Sequence, residues 1–255
     1  FVGVMGMARA VSGSGERVNF MYLIQVEDEV SARNWVKNLE SSTREVLVLV
    51  WGKECSHEDD WRTKQIFCYP NSTWNTGRNE LLRKARSLQV SVQCTYFVFL
   101  DGDVELVEEE NFGQNTGNAY DTFQQYLLEW EPAIGFPRLG AERPADKDLA
   151  EVDLVYNFDA MINAYHRDAI DFFLPYDTHW ERRSWWYSQY CVVVLAAAFF
   201  NHHRLQFNAL GALNTRSHSY REREAEWPRV LAWLAPALQR PARLLPLPLH
   251  RAAGA

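Results

Sequence analysis

The chain has 255 residues and a formal net charge of −7 at pH 7, with 47% hydrophobic and 14% aromatic residues. This length and composition fit one large folded domain and exclude a disordered chain, because there is enough apolar material for a sizeable core. The acidic balance, without a long run of Lys or Arg, argues against nucleic acid as the main ligand. The longest apolar stretch, residues 191–200, is about half of a membrane-spanning helix, so we expect a core element and no membrane span.

The first half of the chain alternates between strand and helix patterns. Apolar and β-branched runs predict strands, and apolar residues at helical spacing predict helices, in the order βαββαβ. The predicted elements are strand 19–26, helix 30–39, strand 45–51, strand 65–69, helix 77–88 and strand 95–100. Because the strands are apolar on both faces, we expect a largely parallel sheet covered by helices.

The second half is more irregular. An acidic loop is predicted after residue 103, and a tail rich in Pro, Leu and Arg begins at Trp227; we expect the tail, 227–255, to be partly disordered, especially after Pro241. The predicted elements between them are helix 118–130, strand 133–137, polar loop 140–148, strand 152–156, helix 167–174 closed by Pro175, helix 184–200 and strand 205–210.

The cellular compartment stays open. The four cysteines lack CxxC spacing, which argues against a zinc site. Asn71-Ser72-Thr73 matches the N-glycosylation acceptor pattern, which matters only in a secretory compartment. The sequence begins with Phe1, as is typical of a fragment or a processed product. We therefore expect the Golgi or ER lumen if an N-terminal anchor has been removed, and the cytoplasm otherwise.

The segment YFVFLDGDVEL, residues 96–106, ends a buried strand in two aspartates separated by one glycine. Ligands of open α/β sheets bind at the carboxyl ends of the strands, so Asp101 and Asp103 should stand beside such a crevice. Two carboxylates can hold Mg²⁺ or Mn²⁺ while water and phosphate complete the coordination shell. Gly102 would let the backbone turn sharply between them. The alternative is an ordinary Asp-Gly hairpin turn.

Residues 78–103, RNELLRKARSLQVSVQCTYFVFLDGD, resemble a segment of GT-A-fold glycosyltransferases in which an Arg-Asn pair opens a helix and leads to a strand ending in an aspartate-containing (DxD) metal motif. The resemblance implies a GT-A-like (Rossmann-like) single α/β domain over 1–226, with a mostly parallel central sheet flanked by helices. Its nucleotide-binding half would span about 18–110 and its acceptor half 111–226. Two departures are Leu81, where the common form has glycine, and the absence of a QxxRW motif.

The resemblance also implies an activity and a set of site residues. The enzyme would move a sugar from a nucleotide-diphosphate sugar donor to a hydroxyl of a glycan, a protein or a lipid. Asp103 would bind Mn²⁺ or Mg²⁺, Asp101 would lie near the metal and the ribose, and His218 would complete the metal shell. Arg78 would lie near the donor nucleotide, or else be a solvated residue paired with nearby carboxylates. Three residues after the first strand would contact the base or the ribose: Gln25, Val26 and Glu27.

The segment YDTHWERRSWWYSQ, residues 176–189, concentrates groups suited to a sugar acceptor. The flat apolar faces of Trp185 and Trp186 can pack on sugar rings. An inverting transfer needs a carboxylate that takes the proton of the attacking hydroxyl, and Asp177 and Glu181 compete for this role. The alternative is that both tryptophans pack in the core and that Glu181 pairs with a neighbouring arginine.

Three further residues could hydrogen-bond sugar hydroxyls: Asn157, Asp159 and Gln189. For Asn157 and Asp159 the alternative is an Asx turn that caps a helix. Two other functional classes compete with a glycosyltransferase, namely a nucleotidyltransferase and a catalytically inactive glycan-binding relative. A nucleotidyltransferase usually has a glycine-rich phosphate loop after its first strand, and the sequence QVEDEVSARN at this place has no glycine.

Overall fold

The computed structural model describes residues 19–52, 65–88, 93–112, 116–140, 149–214 and 227–238. Strands and helices alternate through the described parts of the chain. In chain order they are β1 Phe20–Val26, α1 Glu29–Leu39, β2 Arg44–Val50, β3 Ile66–Cys68, α2 Trp74–Ser87, β4 Tyr96–Asp101, β5 Val104–Glu108, α3 Ala119–Trp130, β6 Ile134–Leu139, β7 Val152–Leu154, β8 Ile162–His166, α4 Ile170–Phe173, α5 Trp186–Phe199, β9 Arg204–Asn214 and α6 Trp227–Leu238.

These strands form one nine-stranded sheet in the order β3-β2-β1-β4-β8-β6-β9-β5, with β7 also paired to β9. β1 is parallel to β2 and β4, and β2 is parallel to β3. β8 is antiparallel to β4 and β6, while β5 and β7 are antiparallel to β9, which is itself parallel to β6. Six strands therefore run in one direction and three in the other. The predicted α/β fold, with a mostly parallel central sheet flanked by helices, is confirmed.

Helices cover both faces of the sheet because the strands are apolar on both faces. Along β1, Tyr22 and Ile24 face the layer that contains α1 and α3, whereas Met21 and Leu23 face the layer that contains α2 and α5. The predicted βαββαβ order of the first half is confirmed. The sheet is thus the middle layer of a three-layer domain.

Two strands were not predicted. β5 stands where we expected an acidic loop, and its buried Val104 and Leu106 alternate with the exposed Glu105. β8 lies between the predicted strand 152–156 and the predicted helix 167–174, and of that helix only the single turn α4 forms. Pairing with β4 and β6 in the middle of the sheet favours an extended conformation for β8 that its own sequence does not specify.

The strand order reverses between β1 and β4, which creates a crevice at their carboxyl ends, the usual ligand site of an open α/β sheet. The two strand ends approach each other closely there. A Cβ atom added to Gly102 would lie 2.5 Å from Val26 Cγ1 and 2.8 Å from the carbonyl oxygen of Gln25. Glycine is therefore needed at position 102 because the backbone of β1 leaves no space for a side chain.

The first part of the predicted tail forms the helix α6. Val230 and Leu234 are buried against Tyr187 and Cys191 of α5. Tail residues 239–255 lie outside the described residues, so their predicted disorder stays a prediction.

Leu234→Ala is expected to lower the free energy of unfolding by about 2–5 kcal/mol, the usual cost of truncating a buried leucine, because Leu234 is only 5% exposed. Leu231→Ala is the matched control, since it makes the same change on the same helix at a side chain that is 40% exposed. Leu231→Ala should lower the free energy of unfolding by about 0.5 kcal/mol or less. Urea unfolding measures both, and equal losses would contradict the packing of α6 on α5.

Candidate active site

A buried ion pair lies in the crevice between β1 and β4. Arg78 of α2 donates a hydrogen bond from Nη2 to Oδ1 of Asp101, and Trp74 Nε1 donates to the same oxygen at 3.0 Å. The guanidinium carbon lies 4.1 Å from the centroid of the Trp74 ring. The Arg78 side chain is 1% exposed and that of Asp101 is 20% exposed. The alternative of a solvated Arg78 is therefore wrong, although Arg78 does pair with a carboxylate.

Local sequence explains how α2 presents these side chains. The helix begins at Trp74 because Thr73 and Thr76 form a capping box. Trp74 and Arg78, four residues apart, lie on the same face of the helix. Our prediction started this helix at Gly77 and therefore missed Trp74; the threonine spacing was the signal that could have found it.

Aromatic rings surround the ion pair. Trp74 stacks on Trp185 with 4.4 Å between ring centroids, and Tyr176 packs edge-on against Trp74 at 4.9 Å. Burial alone would lower the pKa of Arg78, but the negative charge of Asp101 contributes to raising this pKa overall, so Arg78 stays charged. The aromatic shell therefore encloses a permanent cation and its carboxylate partner.

Asp159 is a second carboxylate beside the ion pair. Its Oδ1 accepts a hydrogen bond from the backbone N–H of Met161 at 3.0 Å, and the carbonyl oxygen of Met161 accepts one from the N–H of Asp101 at 2.9 Å. Burial raises the pKa of Asp159; the charge of Asp101 raises it further, while Arg78 opposes both effects. Asp159 thus makes the bond of an Asx turn, but this turn leads into β8 and caps no helix; Asp159 also interacts electrostatically with the ion pair.

The Asp-Gly-Asp segment is not a hairpin, because β4 pairs with β1 and β8 whereas β5 pairs with β9. Trp35 of α1 donates from Nε1 to the carbonyl oxygen of Gly102 at 3.2 Å. Asp103, Trp35 and Tyr120 line a cleft of about 380 Å³, a volume within the range of ligand sites. Asp101 therefore contacts α2, while Asp103 faces a cleft beside α1.

The three residues predicted to contact the base or the ribose differ in accessibility. Gln25 donates from Nε2 to the carbonyl oxygen of Thr73 at 3.1 Å, and its buried Oε1 has no hydrogen-bond partner among the described residues. Val26 is 3% exposed, so it has almost no surface to offer a ligand. Glu27 is exposed. Of the three, Gln25 offers a side-chain atom that lacks a partner.

The predicted acceptor residues are only partly brought together. Trp185 is half-buried at the crevice, whereas Trp186 packs against Tyr190 with 4.6 Å between ring centroids. Gln189 is buried and donates to the carbonyl oxygen of Phe158 at 3.3 Å. Asn157 is exposed. Trp185 is therefore the member of this group that directly contacts the aromatic shell of the ion pair.

The two predicted proton acceptors lie in the loop that joins Tyr176 to Trp185, and neither hydrogen-bonds to the ion pair. Asp177 accepts from the backbone N–H of His179 at 2.7 Å and from Trp233 Nε1. Glu181 has a buried Oε1 without a hydrogen-bond partner in the described part of the chain, and burial raises its pKa. Glu181 therefore suits a proton acceptor better than Asp177.

The predicted metal set is only partly visible. In the described ranges, no group of three or more His, Cys, Asp or Glu residues could hold a metal ion. His218 lies in the stretch 215–226, outside these ranges.

Cys68 is disulfide-bonded, whereas Cys94 and Cys191 are free and buried. Across the described ranges no helix has the length and apolar character needed to cross a membrane.

No protein-family model and no curated protein matches this sequence. Among solved structures, the fold is similar to a crystal structure of S. aureus TarS 1-349, with a TM-score of 0.46, 11% identity, and coverage of 86% of this chain and 65% of that chain. It is also similar to a crystal structure of a mycobacterial protein, with a TM-score of 0.44, 13% identity, and coverage of 88% and 76% respectively. The chain thus spans less than two-thirds of TarS 1-349, and likenesses at these scores do not bear on its function.

Asp101→Asn is expected to lower the free energy of unfolding by about 3–5 kcal/mol, because it leaves a buried guanidinium without its counter-charge. Asp171→Asn is the matched control. Asp171 pairs with Arg86, which lies on α2 like Arg78, and the side chains of Asp171 and Arg86 are 76% and 43% exposed. Asp171→Asn should lower the free energy of unfolding by at most about 1 kcal/mol. Chemical unfolding measures both, and a loss at Asp101 no larger than at Asp171 would contradict the energetic role of the buried pair.

Proposed function

We propose that the chain is a metal-dependent glycosyltransferase that moves a sugar from a nucleotide-diphosphate sugar to a hydroxyl of a glycan, a protein or a lipid. The observation that carries this proposal is the position of the Arg78–Asp101 pair and of Asp103 where the strand order reverses between β1 and β4. Open α/β sheets bind nucleotides at this point. The resemblance of residues 78–103 to the GT-A segment falls on the same side chains.

The residues present fit a cation of the Mn²⁺ or Mg²⁺ type. Asp101 Oδ1 accepts from Arg78 and Trp74, whereas Oδ2 accepts no hydrogen bond from the described residues. Asp103 follows two positions later and lines the cleft beside α1. Such cations bind through one or two carboxylates and complete their shell with water and phosphate, so Asp103 would bind the ion, with Asp101 at the end of β4. When bound, it would neutralise charge that grows on the leaving diphosphate.

Arg78 would position Asp101 rather than contact the donor. Its guanidinium lies between the ring of Trp74 and that of Phe99, whose centroid is 5.5 Å away. At 1% exposure, this group has no surface to offer a diphosphate. Its hydrogen bond instead fixes the side-chain orientation of Asp101.

The acceptor side would combine Trp185 and Glu181. Trp185 is half-buried and extends the aromatic surface of Trp74 to the edge of the crevice, where it could pack on a sugar ring. Glu181 would take the proton from the attacking hydroxyl, because its Oε1 has no competing donor among the described residues and because burial raises its pKa toward that of an effective base.

One observation disfavours the nucleotidyltransferase alternative. A phosphate loop needs the free N–H groups of the helix that follows the first strand. At the start of α1 the carboxylate of Asp28 already accepts from the N–H of Ser31 at 2.8 Å. A negative side chain therefore stands where a phosphate would bind. The remaining alternative, an inactive glycan-binding relative, predicts no turnover of any donor.

Mn²⁺ and a nucleoside diphosphate together should raise the melting temperature by more than the sum of their separate effects, because each ligand completes the site of the other. Asp103→Asn should abolish this joint effect and leave the ligand-free melting temperature unchanged or slightly higher. Glu105→Gln is the matched control, since it removes one negative charge from the same cleft at an exposed side chain. Thermal melts measure these responses, and a joint effect that survives in Asp103→Asn would contradict the metal role of Asp103.

Glu181→Gln preserves the shape of the side chain and removes the proton acceptor, so it should lower sugar transfer by about 10²–10⁴-fold, as is typical of general-base loss. Asp177→Asn is the comparison, and we expect a smaller effect because both Asp177 oxygens already accept hydrogen bonds. Steady-state transfer rates at saturating donor measure both. A wild-type rate in Glu181→Gln would exclude Glu181 as the base.

A further inference from the structure

The charge of the chain is unevenly distributed. Residues 227–255 contain four arginines and neither Asp nor Glu, although the whole chain has a formal net charge of −7. Residues 1–226 therefore carry a formal charge of −11. The C-terminal segment is a cationic region attached to an anionic domain, and such an asymmetry is typical of chains that bind an anionic partner.

The helix α6 shows how the start of this segment is arranged. Val230 and Leu234 are buried against α5, but Leu231 is 40% exposed and Trp233 is 50% exposed. Among the α6 residues whose burial is described, 228–236, the other exposed ones are Pro228, Arg229, Ala232 and Pro236. Apart from one arginine the exposed side of this helix is apolar, whereas a surface helix that contacts only water carries polar side chains there.

The remaining sequence of the segment continues the same composition. Residues 239–255, QRPARLLPLPLHRAAGA, lie outside the described residues and contain three arginines, four leucines and no acidic residue. Leu and Trp combined with Arg, without acidic residues, are typical of segments that lie in the interfacial region of a membrane.

We infer that α6 docks the protein on the surface of an anionic lipid bilayer. Leu231 and Trp233 would enter the headgroup region, and Arg229 would bind a lipid phosphate. A second copy of the chain that packed α6 against α6 fits less well, because it would place arginine against arginine. Nucleic acid could bind the positive charge, but it would leave Leu231 and Trp233 exposed to water.

Contacts of α6 would bring the candidate active site close to this surface. The Trp233 ring stacks on His179 at 4.4 Å between ring centroids, and its Nε1 donates to Asp177. The carbonyl oxygen of Asp177 accepts from Ser188 Oγ, which in turn accepts from Asn75 of α2 at 2.8 Å. Docking itself does not depend on the proposed glycosyltransferase activity, but together the two proposals favour an acceptor carried by a lipid.

Vesicle sedimentation tests the docking without donor, metal or turnover, so its outcome is independent of the proposed function. The wild-type chain should sediment with phosphatidylcholine vesicles that contain about one-third anionic phosphatidylglycerol, and should stay in solution with phosphatidylcholine alone. Added salt should weaken the binding. A wild-type chain that remains in solution with both vesicles, or that binds both equally, would overturn the inference.

Leu231→Glu should lower the partition coefficient for the anionic vesicles by roughly tenfold or more, because it removes an inserted apolar side chain and adds a charge that the lipid repels. Leu128→Glu is the matched control, since it makes the same change at a leucine of α3 that is 47% exposed, and it should bind like the wild type. Thermal melts establish that both variants fold. Equal binding by Leu231→Glu and Leu128→Glu would overturn the role of α6.

Discussion

The buried ion pair between Arg78 and Asp101 is the interaction on which the rest of the site depends. A guanidinium held at 1% exposure is costly unless a counter-charge and hydrogen bonds compensate for lost water. The pair also needs Trp74, the first residue of α2, because the Trp74 ring covers Arg78 while its Nε1 reaches Asp101. The close packing of β1, α2 and the end of β4 leaves no room for a Cβ at Gly102, and a Cβ at Gly77 would displace the side chain of Gln25.

From this centre, aromatic and hydrogen-bonded contacts extend to the C-terminal helix. Trp185 and Tyr176 pack on Trp74, and these two residues bound the loop that carries Asp177 and Glu181. Asp177 in turn bonds to Trp233 of α6. The loop that supplies the proposed base is therefore held between the crevice and α6, so a surface that α6 contacts would lie near the acceptor side of the site.

The first half of the fold could be predicted because its strands and helices have strong local patterns. β5 and β8 were missed because their conformation depends on pairing with strands far away in the chain. The sequence pointed to Asp101 and Arg78, but not to the burial of their contact, which depends on Trp74, Phe99 and Tyr176 converging from three separate segments. Nor could it separate Glu181 from Asp177, since their hydrogen-bond partners are set by tertiary packing.

We propose that the crevice beside Asp101 and Asp103 activates a nucleotide-diphosphate sugar with the help of a divalent cation. The most direct test is the hydrolysis of a panel of nucleotide sugars by the wild-type chain, with Mn²⁺ or with a chelator. We expect release of the nucleoside diphosphate from one class of donor in the presence of Mn²⁺, and no release with the chelator. Cleavage of no donor, or cleavage that is indifferent to the chelator, would contradict a metal-dependent glycosyltransferase.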